Sequence, residues 1–249
     1  MRSLFLVLML VALPAPAQEL LVAAAADLEP ALREIAAGYE HESGTTLKMT
    51  FGSSGNFFTQ IENGAPYDLF FSADIDYPRK LEAEGKAASG SLYKYAQGKL
   101  VMWVPTESGL DLASGLRLLN SAAVHKIAIA NPQHAPYGRA AVAAMKAAGV
   151  YQAAEPKLVV GENISQAAQF AVTGNADVGL IALSLAMSPG MKGRGRYVDV
   201  PAELYPPIEQ AVIVDASSKS KQAALRFLSY VKSPGAKQIL RKYGFVTSD

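Results

Sequence analysis

Cysteine is absent from the 249 residues, tryptophan occurs once and histidine three times. Without a thiol there is no disulfide framework and no lipidated cysteine to tether the chain. Charge of one sign is missing too: 23 Lys and Arg stand against 22 Asp and Glu, so no basic excess points to nucleic acid. Leu4–Leu13 is the one long apolar run, and at about ten residues it is too short to span a bilayer. Arg2 is the only charge in residues 1–17, which end in Ala15-Pro16-Ala17. A lone basic residue, an apolar run and a small-x-small ending form a signal peptide, with the mature chain starting at Gln18. The expectation is a soluble protein free in the periplasm of a Gram-negative cell, with a mature net charge near zero. About 230 residues remain, enough for one large core or two smaller ones.

What is present is alternation. Leu20–Ala25 reads as a buried strand, and Leu28, Ala31, Leu32, Ile35, Ala36 and Tyr39 then keep helical spacing up to Gly44. A strand over 47–51, a short helix over 57–61 and an apolar run over 68–72 follow. A second set runs from a strand at 100–104 through strands at 126–130, 157–160 and 177–182, with helices over 139–148 and 165–172 between them. A strand over 208–215 and helices over 219–231 and 234–243 close the chain. This rhythm is that of α/β layers. Two sets predict two domains, residues 18–101 with 208–249 and residues 102–207, with the crossings near 100–104 and 209–214 forming a hinge.

Chemistry concentrates where strands hand over to helices. Gly52-Ser53-Ser54-Gly55 joins a strand to a helix. Glycines let backbone N–H groups approach a ligand, serines add hydroxyl donors, and the first turn of the helix has unpaired N–H groups, so the segment suits an anion. It also suits a serine N-cap in a tight turn. The Lys-Ser/Thr ending of a phosphate-binding P-loop is missing. Three similar junctions occur at Ala23–Asp27, Asn131–Gly138 and Gly161–Ser165. All follow the carboxyl ends of strands, the edge where open α/β sheets gather ligands.

Catalysis finds little support. His41, His125 and His134 have no partners at metal-ligand spacing, and no G-x-S-x-G elbow occurs. A Ser54–His134 pair, brought together only in three dimensions, is the one hydrolase arrangement left open. Trp103 lies in an apolar strand and reads as core or hinge packing.

Five segments together carry a family resemblance: AAAADL at 23–28, FGSSGNFFTQIENGAPYDLFFSAD at 51–74, ANPQHAPYG at 130–138, GENISQAAQ at 161–169 and RKYGF at 241–245. They resemble the periplasmic molybdate-binding proteins, the ModA family, across essentially the whole mature chain. The resemblance implies a two-domain type II periplasmic binding protein fold, an α/β architecture with the ligand cleft between the domains. It implies capture of molybdate, and of tungstate, for delivery to an ABC transporter permease with its cytoplasmic ATPase, by a monomer that needs no cofactor and catalyses nothing. Carried over residue by residue, the oxyanion-binding positions are Ala26, Asp27, Ser54, Tyr137 and Ile164, which hold oxygens through backbone N–H groups and hydroxyls and do not ligate the metal atom. Another tetrahedral oxyanion (phosphate, arsenate or sulfate) is the alternative within binding. The exposed helix face of Glu29, Arg33 and Glu34 is a candidate for docking to the transporter.

Two positions depart from the family. Many members have serine or asparagine where this chain has Asp27, and some have a tyrosine where it has Ala182. An ionised carboxylate about 4 Å from a dianion would be repelled by roughly 8 kcal/mol at an effective dielectric of 20. Asp27 is therefore expected to turn away and cap its own helix through the Glu29 N–H; in the other readings it is neutral, or accepts a proton carried by the ligand. The Tyr137 phenol is expected to fill the space at Ala182.

Overall fold

The computed structural model describes residues 19–248. In chain order the first domain contributes β1 (Glu19–Ala25), α1 (Glu29–Ser43), β2 (Thr46–Gly52), α2 (Ser54–Glu62), β3 (Leu69–Ser72), α3 (Asp76–Ala83) and β4 (Tyr93–Gly98). The chain then crosses into β5 (Leu100–Pro105), β6 (Ile127–Ala130), α4 (Pro136–Ala147), α5 (Tyr151–Ala154), β7 (Leu158–Gly161), α6 (Ile164–Val172), β8 (Val178–Ala182), α7 (Leu183–Ala186) and β9 (Gly195–Asp199). It returns to the first domain as β10 (Ile208–Val214), α8 (Lys221–Val231) and α9 (Pro234–Lys242).

Each domain is built on a five-stranded sheet, ordered β2-β1-β3-β10-β4 in one and β7-β6-β8-β5-β9 in the other. The two follow one plan. Three parallel strands, β2-β1-β3 or β7-β6-β8, are joined by an antiparallel strand, β10 or β5, which is a strand that enters from a crossing. Crossover helices bury both sheet faces, so the central strands are apolar on both sides. In β3, Phe70 packs with Phe57, Ile61 and Leu81 on one face, while its neighbour Phe71 packs with Leu32, Tyr95 and Phe227 on the other. The alternation follows from the two-residue strand period.

The sequence expectations for α1, β2, β8 and α6 hold to within two residues at each end. Strand β4, strand β9 and helix α3 went unread because their patterns are mixed: β4 is YKYAQG, β9 is GRYVD, and α3 carries four charged residues in DYPRKLEA. Trp103 is buried in the second domain's core, against the backbone of Gly195. The signal-peptide reading of residues 1–17 lies outside the described residues. Among these, no helix is long and apolar enough to cross a membrane.

The plan positions the cleft. Parallel strands end on the same side of each sheet, so β1, β2 and β3 deliver their carboxyl ends toward those of β6, β7 and β8. The domains touch there: Ala25, Ala26 and Ala73 of the first domain belong to the hydrophobic cluster of the second.

Candidate functional site

Ala26, Asp27, Ser54, Tyr137 and Ile164 meet around one small cavity of about 10 Å³, lined also by Ala25, Gly52, Ser53, Ala73, Ala135 and Pro136. All five are buried, with Asp27 and Ser54 at 0 % exposure. Ser54 opens α2, Tyr137 is the second residue of α4 and Ile164 opens α6. First-turn N–H groups have no partner within their helix, and among the described residues those of Ser54, Tyr137 and Ile164 bond to nothing else. Three helices therefore turn the positive ends of their dipoles toward one small volume.

The Ser54 hydroxyl accepts the Ala73 N–H at 2.9 Å, which fixes the oxygen and leaves its own proton to donate elsewhere. The Ala26–Asp27 segment is held from the second domain, where Ser165 Oγ donates to the Ala26 carbonyl at 3.1 Å and Ser184 Oγ to the Asp27 carbonyl at 2.7 Å. No lysine or arginine lines the cavity.

Asp27 departs from the expected cap. Residues Ala26–Leu28 form an extra 3-10 turn, so α1 starts only at Glu29, after Leu28, and the Glu29 N–H bonds to the Ala26 carbonyl. The inserted turn carries the Asp27 side chain away from the helix end. Its Oδ2 instead accepts from the Tyr137 hydroxyl at 3.0 Å and from the Gln210 amide. Gln210 is held in turn by Tyr95, whose hydroxyl donates to Gln210 Oε1 at 2.7 Å. Oδ1 is buried without a hydrogen-bond partner. Burial raises the carboxyl to about 6, against the opposing pull of the Gln210 and Tyr137 hydrogen bonds and, more weakly, of the nearby backbone N–H groups of Asp27 and Leu28, neither of which makes a hydrogen bond to Oδ1. The phenols of Tyr137 and Tyr95 are pushed well above the ordinary value by burial and then by Asp27. The Tyr137 hydroxyl thus goes to Asp27, tight over Gly98, where an added Cβ would stand 2.0 Å from it. Any side chain at 98 would evict the phenol.

The Ser54–His134 pairing does not form. His134 Nδ1 lies 2.8 Å from Ser53 Oγ, while Ser54 is engaged with Ala73. The His134 carbonyl accepts the Gly55 N–H at 2.9 Å across the domain boundary. A Cβ on residue 55 would sit 2.8 Å from that carbonyl, so the second glycine of GSSG permits the approach of the other domain.

Sequence reading missed Gln210, Tyr95 and the rim. Gln210 had a signal: it is a fully buried amide in the strand IEQAVIV, whose other residues are apolar except Glu209. At the rim Arg139 of α4 pairs with Asp74 and donates to the Tyr77 hydroxyl at 3.3 Å, and Glu162 accepts from Asn56 at 2.7 Å. Nothing in the local sequence pairs residues so far apart.

The matches to known proteins run over nearly the whole chain. Residues 20–246 fit the family described as bacterial extracellular solute-binding protein. The chain is 43% identical over 236 residues to the molybdate-binding protein ModA of Rhodobacter capsulatus, covering 95% of this chain and 91% of the relative. It is 40% identical to the ModA of Azotobacter vinelandii, covering 95% and 93%. Among solved structures, the periplasmic molybdate-binding protein of Azotobacter vinelandii superposes with a TM-score of 0.87 at 34% identity, covering 92% of this chain and all of that one.

Proposed function

The chain belongs to the molybdate-binding ModA family of bacterial extracellular solute-binding proteins, and from that premise we propose that it captures molybdate between its two domains and delivers it to an ABC transporter. One observation carries the reading. Donors from separate strand-to-helix junctions of both domains converge on a single buried cavity that has no cationic side chain. The N–H groups of Ala26, Ser54, Tyr137 and Ile164 and the Ser54 hydroxyl hold the oxygens.

Neutral donors suffice energetically. A hydrogen bond to a charged group contributes roughly 1.5–3 kcal/mol, so five to seven of them reach the roughly 12 kcal/mol of nanomolar binding, before ordering costs. Fixed donors also gauge oxygen spacing, which admits molybdate and tungstate and disfavours the smaller sulfate. Closure works as a hinge at Lys99 and residues 200–207, with residues 19–98 and 208–248 moving against 100–199, and the permease reads the closed shape. The protein works as a monomer, free in the periplasm after removal of residues 1–17.

Calorimetric titration with molybdate, tungstate, sulfate and phosphate tests this. Tight one-to-one binding of the first two, with sulfate and phosphate at least about 100-fold weaker, is the expected result. Preference for sulfate or phosphate, or no binding of molybdate, would overturn it.

A further inference from the structure

Asp27 is the one feature of the cavity that a dianion should reject, and its surroundings say how it is accommodated. Asp27 is fully buried and is one of the residues that line the cavity. Its two oxygens are not equivalent. Oδ2 receives both the Tyr137 hydroxyl and the Gln210 amide, whereas Oδ1 has no partner. An oxygen that already accepts two donors is a poor seat for a proton, and a buried oxygen with none is a good one. Ligand oxygens are acceptors only, so an ionised Oδ1 would oppose them while a protonated Oδ1 adds a donor.

We propose that Asp27 carries its proton on Oδ1 and donates it to an oxygen of the bound oxyanion, so that capture of one molybdate takes up one proton. This rests on the molybdate reading above and deepens it: the specificity of the site then includes a proton supplied by the protein. The hydroxyl takes the place of an amide donor, and the exchange of asparagine for aspartate makes affinity depend on pH.

The titratable groups that face Asp27 do not compete for that proton. From α4 comes the Tyr137 phenol, from β4 the Tyr95 phenol by way of Gln210, and Tyr205 lies one step further, near Tyr137. From α2 and α7 come only the hydroxyls of Ser54 and Ser184, the latter on the Asp27 carbonyl. No charged side chain is among the groups that act on the Asp27 carboxyl. His134 is turned to Ser53 and Glu162. Burial pushes the Asp27 carboxyl in the same direction as the geometry, up to about 6, and a dianion at Oδ1 pushes it further.

The test is calorimetric titration of the purified protein with sodium molybdate at pH 7.5 in phosphate-free buffers of different ionisation enthalpy, which counts protons, repeated at pH 6, 7, 8 and 9. We expect close to one proton taken up per molybdate, and a Kd that rises about tenfold per pH unit over the alkaline part of the range. Asp27→Asn, the neutral isostere, should bind with no proton uptake and a flat pH profile; its thermal unfolding establishes that it folds. Tight molybdate binding by the wild type with no proton uptake would overturn the proposal while leaving the molybdate reading intact. Phosphate binding tighter than molybdate would show that Asp27 accepts a proton from the ligand, and would overturn both. Failure of the wild type to bind molybdate at any pH would also overturn both.

Discussion

At the centre of the cleft Asp27, Ser54, Tyr137 and Gln210 are shut off from solvent, whereas at its rim Arg139 keeps 39% of its side-chain surface exposed and Glu162 keeps 59%. Both regions join the same two domains. The centre does it with hydroxyls, amides and free backbone N–H groups, the rim with an ion pair and a charged hydrogen bond. In a dry site each unpaired donor is expensive until a ligand satisfies it, while exposed ion pairs contribute only about 0–1 kcal/mol and are screened by salt. Ligand discrimination therefore belongs to the centre. The rim adds a small, ligand-independent bias toward closure.

Blocking the approach of the domains should have the largest effect. In Gly55→Ala the added Cβ would stand 2.8 Å from the His134 carbonyl of the other domain and 2.9 Å from the Tyr77 hydroxyl of its own, a side-chain end that can shift where the carbonyl cannot, so we expect molybdate affinity to fall by roughly 100-fold, the scale of an overpacked contact. Thermal unfolding without ligand should barely change. Equal affinity would mean that the cleft need not close this far. Next comes Ser54→Ala, which removes a donor from the centre and the acceptor of the Ala73 N–H; a loss of roughly 10- to 100-fold in affinity is expected by calorimetry.

A third expectation concerns stability. Asp27 titrates near 6 in the fold against an ordinary 3.8, so between those values the folded chain holds a proton that the unfolded chain has lost. Its contribution to stability is therefore greatest at low pH, falls as pH rises through that window and levels off above about 6. Relative to wild type, Asp27→Asn should gain about 2 kcal/mol in denaturant unfolding on going from pH 4.5 to 7.5. No gain would mean that the carboxyl is hydrated in the unliganded protein. The smallest effect is expected at the rim, where Arg139→Ala should weaken molybdate binding only a few-fold, and less in 0.5 M salt. A loss as large as that of Ser54→Ala would erase the distinction between centre and rim.

Much of this organisation was legible in the sequence because it is local. Strand-to-helix junctions announce themselves through glycine, serine and helical spacing, and the parallel-strand rule gathers their ends on one edge. The five positions at Ala26, Asp27, Ser54, Tyr137 and Ile164 came from family resemblance laid over those junctions. What escaped was whatever depends on exact helix starts or on distant partners. The Asp27 cap failed because one 3-10 turn moved the start of α1 by one residue, from Leu28 to Glu29. Gln210 meets Asp27 from 183 positions away, across a return crossing between domains. Ser53 rather than Ser54 faces His134 because successive residues at the start of α2 point in different directions.

The most direct measurement is a crystal structure of the protein grown with molybdate and recorded at a wavelength where molybdenum scatters anomalously. We expect one strong peak inside the central cavity, with tetrahedral oxygens in hydrogen-bond reach of the Ser54 hydroxyl and of the N–H groups of Ala26, Tyr137 and Ile164. A peak at the Arg139–Asp74 rim, or an empty central cavity in a protein that binds molybdate in solution, would contradict recognition by neutral donors at the centre.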